Sequence, residues 1–258
     1  MEQIPNVLAC DVGNARVKLA RIQGENIETT DDLQVGRLAE LSDLLRERWN
    51  QTPRPRKLVA ASVNPAALKA LEAAADAALH TAVLVVGREL PRPIDTDLPH
   101  PEQIGMDRLC CASAAFDRLG VTCVVVDCGS AVTVDCVSGE GVFLGGAILP
   151  GAAMQAKCLH RQTAQLPLVE PAAPRSVFGQ DTTEAIRSGI VQGLRGAVRG
   201  LVEAYATELG AWPVVIATGG DAELILGQGV REGFVQAIAP DLALRGAAMA
   251  YYRSLLKE

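Results

Sequence analysis

Two stretches of this chain set an aspartate and a glycine at the end of an apolar run. The first is Asp11-Val12-Gly13-Asn14-Ala15-Arg16-Val17-Lys18, after Val7-Leu8-Ala9-Cys10. The second is Asp127-Cys128-Gly129-Ser130-Ala131-Val132-Thr133-Val134-Asp135, after Val124-Val125-Val126. Each reads as a strand, a tight turn and a returning antiparallel strand. Glycine lets backbone N–H groups approach an anion with no Cβ in the way. The aspartate at the strand end can hold a cation, directly or through water. One copy would be an ordinary polar turn. Two copies in matching contexts, facing each other, predict a clamp for a polyphosphate and its metal.

The elements that must position these turns alternate between strand and helix. Strands are expected near residues 6–12 and 16–22, a helix near 37–49, and a strand over Leu58 to Val63. Asn64-Pro65 then reads as a helix cap and first-turn proline for a helix over 66–79. A strand at Thr81 to Val86, a Pro-rich loop over 88–104 and a helix from Gly105-Met106-Asp107-Arg108 to Leu119 follow. The plan then repeats, with strands near 121–127, 131–138 and 142–148, a helix at 151–161 and a long helical region over 179–209. A strand from Pro213 to Thr218 ends in Gly219-Gly220-Asp221, and a short helix, a strand near 234–238 and a helix over 241–256 close the chain. Two similar α/β halves are expected, residues 1–118 and 119–258.

Composition narrows the function classes. With 258 residues, 49% hydrophobic and 21% charged, the chain can bury a substantial core and is not disordered. A net charge of -6 argues against general nucleic-acid binding, which draws on basic surface. Met1 to Asn6 does not read as a secretory signal, and no apolar stretch reaches bilayer-spanning length, so no membrane partner is expected. Seven cysteines without a Cys-x-x-Cys pair suggest buried, reduced thiols in a cytoplasmic protein. His80, His100 and His160 form no metal-ligand pattern.

Five motifs in order carry a resemblance: Asp11-x-Gly-Asn14…Lys18, Gly105-x-Asp107-Arg108, Asp127-x-Gly-Ser-Ala…Thr133, Gly145-Gly146…Pro150-Gly151 and Thr218-Gly219-Gly220-Asp221. Over about residues 7–250 the chain resembles the type III pantothenate kinases of the actin-like, sugar-kinase-like ATPase superfamily. The resemblance implies two ribonuclease H-like α/β halves, each a mixed sheet flanked by helices. It implies phosphorylation of pantothenate by ATP, the first step toward coenzyme A. Asp11, Val12, Gly13, Asn14, Ala15, Arg16, Val17 and Lys18, with Ser130, would hold the nucleotide. Asp11 would position Mg²⁺, directly or through water, and Asp127 would take a monovalent cation, K⁺ or NH₄⁺. Asp107 would accept the hydroxyl proton, Arg108 would hold the pantothenate carboxylate, and Gly105, Met106 and Thr182 would complete the acceptor site. Thr182 also reads as the cap of the long helix. The family usually has a hydroxyl residue in place of Ala15 and often a Tyr in place of Leu98. A homodimer with the acceptor pocket near its interface is implied as well. The alternatives are a kinase of the same superfamily with another acceptor, and a nucleotide-binding regulatory protein without turnover.

Overall fold

The computed structural model describes residues 5–256; Met1 to Ile4, on which the reading of the N-terminus partly rests, lie outside them. The first strand is apolar on both faces. In β1 (Asn6–Val12), Leu8, Cys10 and Val12 enter one core, Val7 and Ala9 enter another, and Asp11 follows on that second face. β2 (Arg16–Gln23) returns antiparallel, with β3 (Asn26–Gln34) outside it as the sheet edge. A 3₁₀ turn over Val35–Glu40 leads into α1 (Leu41–Gln51), and β4 (Arg56–Ser62) then runs parallel to β1. α2 (Pro65–Leu79) and the two-residue β5 (Leu84–Val85) complete a sheet of order β3-β2-β1-β4-β5, and α3 (Met106–Leu119) follows a long irregular segment.

The second pass consists of β6 (Cys123–Cys128), β7 (Ala131–Val137), β8 (Phe143–Pro150), α4 (Ala152–Gln162), α5 (Thr182–Leu209), β9 (Val214–Thr218), α6 (Ala222–Arg231), β10 (Ala237–Ile238) and α7 (Leu242–Leu255). Its sheet, β10-β9-β6-β7-β8, has the order and strand senses of the first. The architecture is therefore duplicated. Its core is built from Val124, Val126, Cys128, Val132 and Val134 of the sheet against Ile190, Leu194, Val198 and Val202 of α5.

Several elements differ from the sequence-based expectation. β3 was not expected, and the helix expected near 37–49 is α-helical only from Leu41, after the 3₁₀ turn. The strands expected over Thr81 to Val86 and 234–238 shrink to two residues each. Arg56, at the start of β4, lies over the Trp49 ring at 4.4 Å and donates to the carbonyls of Trp49 and Thr52. All seven cysteines are free thiols; six are buried and Cys158 is exposed. Among the described residues no helix is long and apolar enough to cross a membrane.

The chain forms two compact units: the chain up to Arg118 together with everything from Asp241 on, and Leu119–Pro240. The last helix, assigned from sequence to residues 119–258, thus belongs with the first sheet. There α7 lays Leu244, Ala247, Ala248 and Tyr251 against Val7, Ala9 and Val59. Tyr252 Oη donates to the Ile22 carbonyl at 3.2 Å, and Arg253 bonds the Pro93 carbonyl, Ser113 and Asp117. The tightest point is Gly246, where an added Cβ would stand 2.1 Å from the Cys110 carbonyl oxygen of α3. Gly246→Ala must separate the two helices and is expected to cost about 1–3 kcal/mol of stability. Denaturant unfolding of the variant checks this, and an unchanged midpoint would show that α7 does not pack on α3 in this way.

Candidate functional site

In the first unit, strand alternation carries Asp11 onto the face covered by α3 and α7, half-buried at the end of β1. The Gly13 N–H donates to the Arg16 carbonyl at 2.9 Å and closes the turn, so that donor is committed. The N–H groups of Asn14 and Ala15, on the exposed tip, have no protein acceptor among the described residues. They are the donors the turn offers to an anion. Arg16 pairs with Asp32 at 2.5 Å, a solvent-exposed ion pair that answers much of its charge. Lys18 stands directly opposite Asp11 in the register of β1 and β2.

Asp107 occupies the first turn of α3, where the helix N-terminus favours an anion, and its Oδ1 accepts the Arg108 N–H at 2.8 Å. Gly105 makes room for it: a Cβ there would lie 2.5 Å from Asp107 Oδ1 and 3.4 Å from the Val63 side chain. Gly87, at φ +84°, does the same for Met106, whose Cε would stand 2.5 Å from an added Cβ. Burial pushes the Asp107 carboxyl above its ordinary value of 3.8, while the N–H and the charge of Arg108 pull it back. Cys110, one turn further on, is pushed up first by burial, then by Asp11 and then by Asp107. Cys110 packs with Val7 and Ala9 on the face that bears Asp11, and both carboxylates push its thiol up.

In the second unit, Asp127 lies opposite Thr133 across the antiparallel pair and beside Thr218 across the parallel one. The Gly129 N–H closes the turn onto the Ala131 carbonyl at 3.0 Å. Gly219, at φ +94°, sits where a Cβ would meet Asp127 Oδ1 at 2.4 Å and the Cys128 carbonyl oxygen at 2.5 Å. Only glycine fits there. Burial, then Asp127, then Asp221 push up the Cys128 thiol, so a second acid is close. Gly151 packs on the turn from the other side, donating to the Ser130 carbonyl at 3.2 Å. Ser130 itself is exposed. Thr133 donates to the buried Asp135 at 2.9 Å, so these two serve the sheet.

Thr182 is the first helical residue of α5, and the cap expected of it comes from Asp181, whose carboxylate accepts the Glu184 N–H at 2.8 Å. Thr182 is exposed and lines a groove of about 410 Å³ with Gln155, Leu159, Leu166, Ile186 and Ile190. Glu184, a buried residue in the same first turn, is held below the usual 4.5 by the Arg175 N–H and then by the Arg187 guanidinium. Leu98 is half-buried in the irregular segment before α3. Sequence reasoning missed Ser62 and the second role of Asn64. Ser62 Oγ lies 3.4 Å from the Val12 carbonyl oxygen, Asn64 Nδ2 donates to the Gly13 carbonyl at 3.3 Å, and the Asn-Pro helix start was their only signal.

Among the described residues no group of three or more His, Cys, Asp or Glu could hold a metal ion. A divalent ion in the first turn would therefore take most of its ligands from a bound polyphosphate. That suits Mg²⁺, which keeps one or two carboxylates and fills its octahedron with phosphate and water oxygens. The half-buried Asp11 carboxylate supplies a hard oxygen of the right kind.

The sequence profile of the type III pantothenate kinase family matches residues 7–204. A type III pantothenate kinase of Akkermansia muciniphila is 44% identical over 157 residues, which span 61% of this chain and 64% of that relative. One of Dehalococcoides mccartyi is 33% identical over 252 residues, 95% of this chain and 96% of the relative. Among solved structures, a conserved putative Baf family transcriptional activator from Campylobacter jejuni superposes with a TM-score of 0.57 at 23% identity, over 96% of this chain and 99% of that one. At that identity the likeness speaks for the fold alone, which is the actin-like ATPase and sugar-kinase fold. With its profile matched from the first strand into the long helix, the chain belongs to the type III pantothenate kinase family.

Proposed function

We propose that this chain transfers the γ-phosphoryl group of ATP to the primary hydroxyl of pantothenate, the first step of coenzyme A synthesis. The observation that carries the reading is Asp107, a carboxylate kept at a helix start by Gly105 and raised in proton affinity by burial, on the face that also bears Asp11. A base of raised pKa is better matched to a hydroxyl proton than an exposed carboxylate. Phosphoryl transfer through a loose transition state asks mainly for positioning and charge stabilisation, so one weak base suffices.

Asp107 accepts the hydroxyl proton, and the Arg108 fork binds the pantothenate carboxylate. Gly105, Met106 and Thr182 shape the acceptor site. The Asn14 and Ala15 N–H groups donate to phosphate oxygens, and Lys18 adds charge at the transferring group. Gly13, Val12, Arg16 and Val17 hold the turn in shape. Asp11 holds Mg²⁺, directly or through water; when bound with ATP, the ion supplies charge neutralisation at the phosphates. Ser130 donates its hydroxyl to the nucleotide, and Asp127 takes K⁺ or NH₄⁺. The groove at Thr182 and the exposed apolar Ile148, Met154 and Leu168 support a homodimer, and the free thiols support a cytoplasmic setting.

ADP release is measured with pantothenate and with other hydroxylated acids, in the presence and absence of K⁺. Turnover with pantothenate and dependence on K⁺ are expected; intact ATP binding without turnover on any acceptor would sink the reading. Asp107→Asn is expected to lower kcat by at least about 100-fold, the scale of a lost general base, while ATP affinity stays near wild type. Equal loss of ATP binding would mean that Asp107 serves the nucleotide instead.

The raised carboxyl also makes a prediction about stability. The folded state holds the Asp107 proton more tightly than the unfolded chain, so this residue's contribution to stability is present at acid pH and is lost as pH rises through its folded value. Asp107→Asn should therefore melt higher than wild type at neutral pH, with the advantage shrinking as pH falls toward 3.8. Thermal scans across pH decide this, and a variant less stable at neutral pH would contradict the assigned burial.

A further inference from the structure

The junction between β4 and α2 does more than start a helix. The Val63 N–H donates to the Val12 carbonyl at 3.1 Å, and Ser62 Oγ, 3.2 Å from the Asn64 carbonyl oxygen and 3.4 Å from that of Val12, accepts the Asn64 N–H at 3.1 Å. Asn64 divides its side chain between two tasks. Its Oδ1 accepts the Ala67 N–H at 3.1 Å and caps α2, with Pro65 next in line. Its Nδ2 reaches a residue 51 positions away and donates to the Gly13 carbonyl at 3.3 Å.

The Gly13 carbonyl and the Asn14 N–H belong to one planar trans peptide, in which they point in opposite directions. Holding the carbonyl from the α2 side therefore aims the Asn14 N–H away from α2, off the exposed tip of the turn. The bond from the Gly13 N–H to Arg16 fixes only the preceding peptide. Glycine leaves the following one free to turn over unless something holds it.

We propose that Asn64 is a positioning residue for the phosphate cradle: Oδ1 starts α2, while Nδ2 sets the Gly13–Asn14 peptide whose N–H meets the anion. This rests on the kinase reading only in taking the anion to be a nucleotide phosphate. The second unit solves the corresponding problem with backbone. There the Asp221 N–H holds the Cys128 carbonyl at 2.9 Å, as Val63 holds Val12, and Gly151 packs against the Gly129 carbonyl oxygen. Among the described residues a side-chain anchor of this kind is found at the first turn.

Three variants separate the two tasks. Serine and aspartate both cap helices well but lack the Nδ2 donor, and alanine lacks both functions. The thermal midpoint is expected to fall further in Asn64→Ala, which loses both the cap and the Nδ2 bond, than in Asn64→Ser, which keeps the cap. The dissociation constant of a non-hydrolysable ATP analogue, by calorimetry, is expected to rise about five- to tenfold in Asn64→Ser and Asn64→Ala, the worth of one hydrogen bond. It should rise further in Asn64→Asp, whose carboxylate faces the Gly13 carbonyl. KM for ATP should follow while KM for pantothenate holds. Unchanged analogue affinity in Asn64→Ser overturns the proposal, as does an affinity loss that only tracks loss of stability across the three. Wild-type protein that binds the analogue yet never turns over pantothenate would defeat the kinase reading and leave this comparison intact, because it is read by binding.

Discussion

Each unit depends on one seam, the parallel pairing of the strand that enters the turn with the strand that runs into the next helix. β1 lies beside β4 in register from Asn6 opposite Arg56 to Val12 opposite Ser62, and β6 lies beside β9 up to Asp127 opposite Thr218. One further bond at each end, Val63 to Val12 and Asp221 to Cys128, ties a helix start to an Asp-x-Gly turn. Parallel strands end at the same edge of a sheet, so the turn and the following junction are delivered together. Open α/β sheets bind ligands at that edge. A slip of one residue in β1 would swing Asp11 from the α3 and α7 face into the core of α1 and α2, because side chains alternate along a strand.

The same alternation sets the electrostatics of Asp107. A helix with one exposed face would leave its first turn solvated. In α3, every residue from Leu109 to Ala115 is buried, and α7 closes to backbone contact at Gly246. Burial therefore disfavours the charged form of Asp107, and the helix N-terminus and Arg108 offset only part of that effect. Tight packing of the first unit and the proton affinity of its carboxylate are one property. Loosening the helix would relieve the carboxylate and weaken it as a base.

Much of this was legible in the sequence. The paired turns, the Asn64-Pro65 helix start and an acid in the first turn of α3 are local patterns with local causes, and each is found where it was expected. β3 escaped because Asn26–Gln34 is a polar edge strand in which only Leu33, among the described residues, is fully buried and Ile27 packs partly buried, six positions away, leaving no alternation to detect. The place of α7 escaped for a different reason. Its apolar face is plain, but nothing local states which sheet will cover it, and chain order suggests the wrong one. At the start of α5, Asp181 and Thr182 are both capping types. Glu184, three residues after Asp181, fits a capping-box spacing and could have decided between them. The Asn64 bond to Gly13 joins residues far apart in the chain, and residue types alone do not announce it.

Folding also ends the equivalence of the two turns. Both spend the glycine N–H on closing the hairpin, so the difference lies in what packs on the rest of the turn. In the first, a side-chain amide takes the glycine carbonyl and leaves N–H groups at the exposed tip, an arrangement rich in donors that suits an anion. In the second, Gly219 packs against the Asp127 carboxylate and the Cys128 carbonyl, and Gly151 against the carbonyls of Gly129 and Ser130. A side chain at the first junction and two glycines at the second thus give one motif two different surroundings. The difference is made by residues outside the turn, which is why two nearly identical phrases of sequence fold into turns that are not interchangeable.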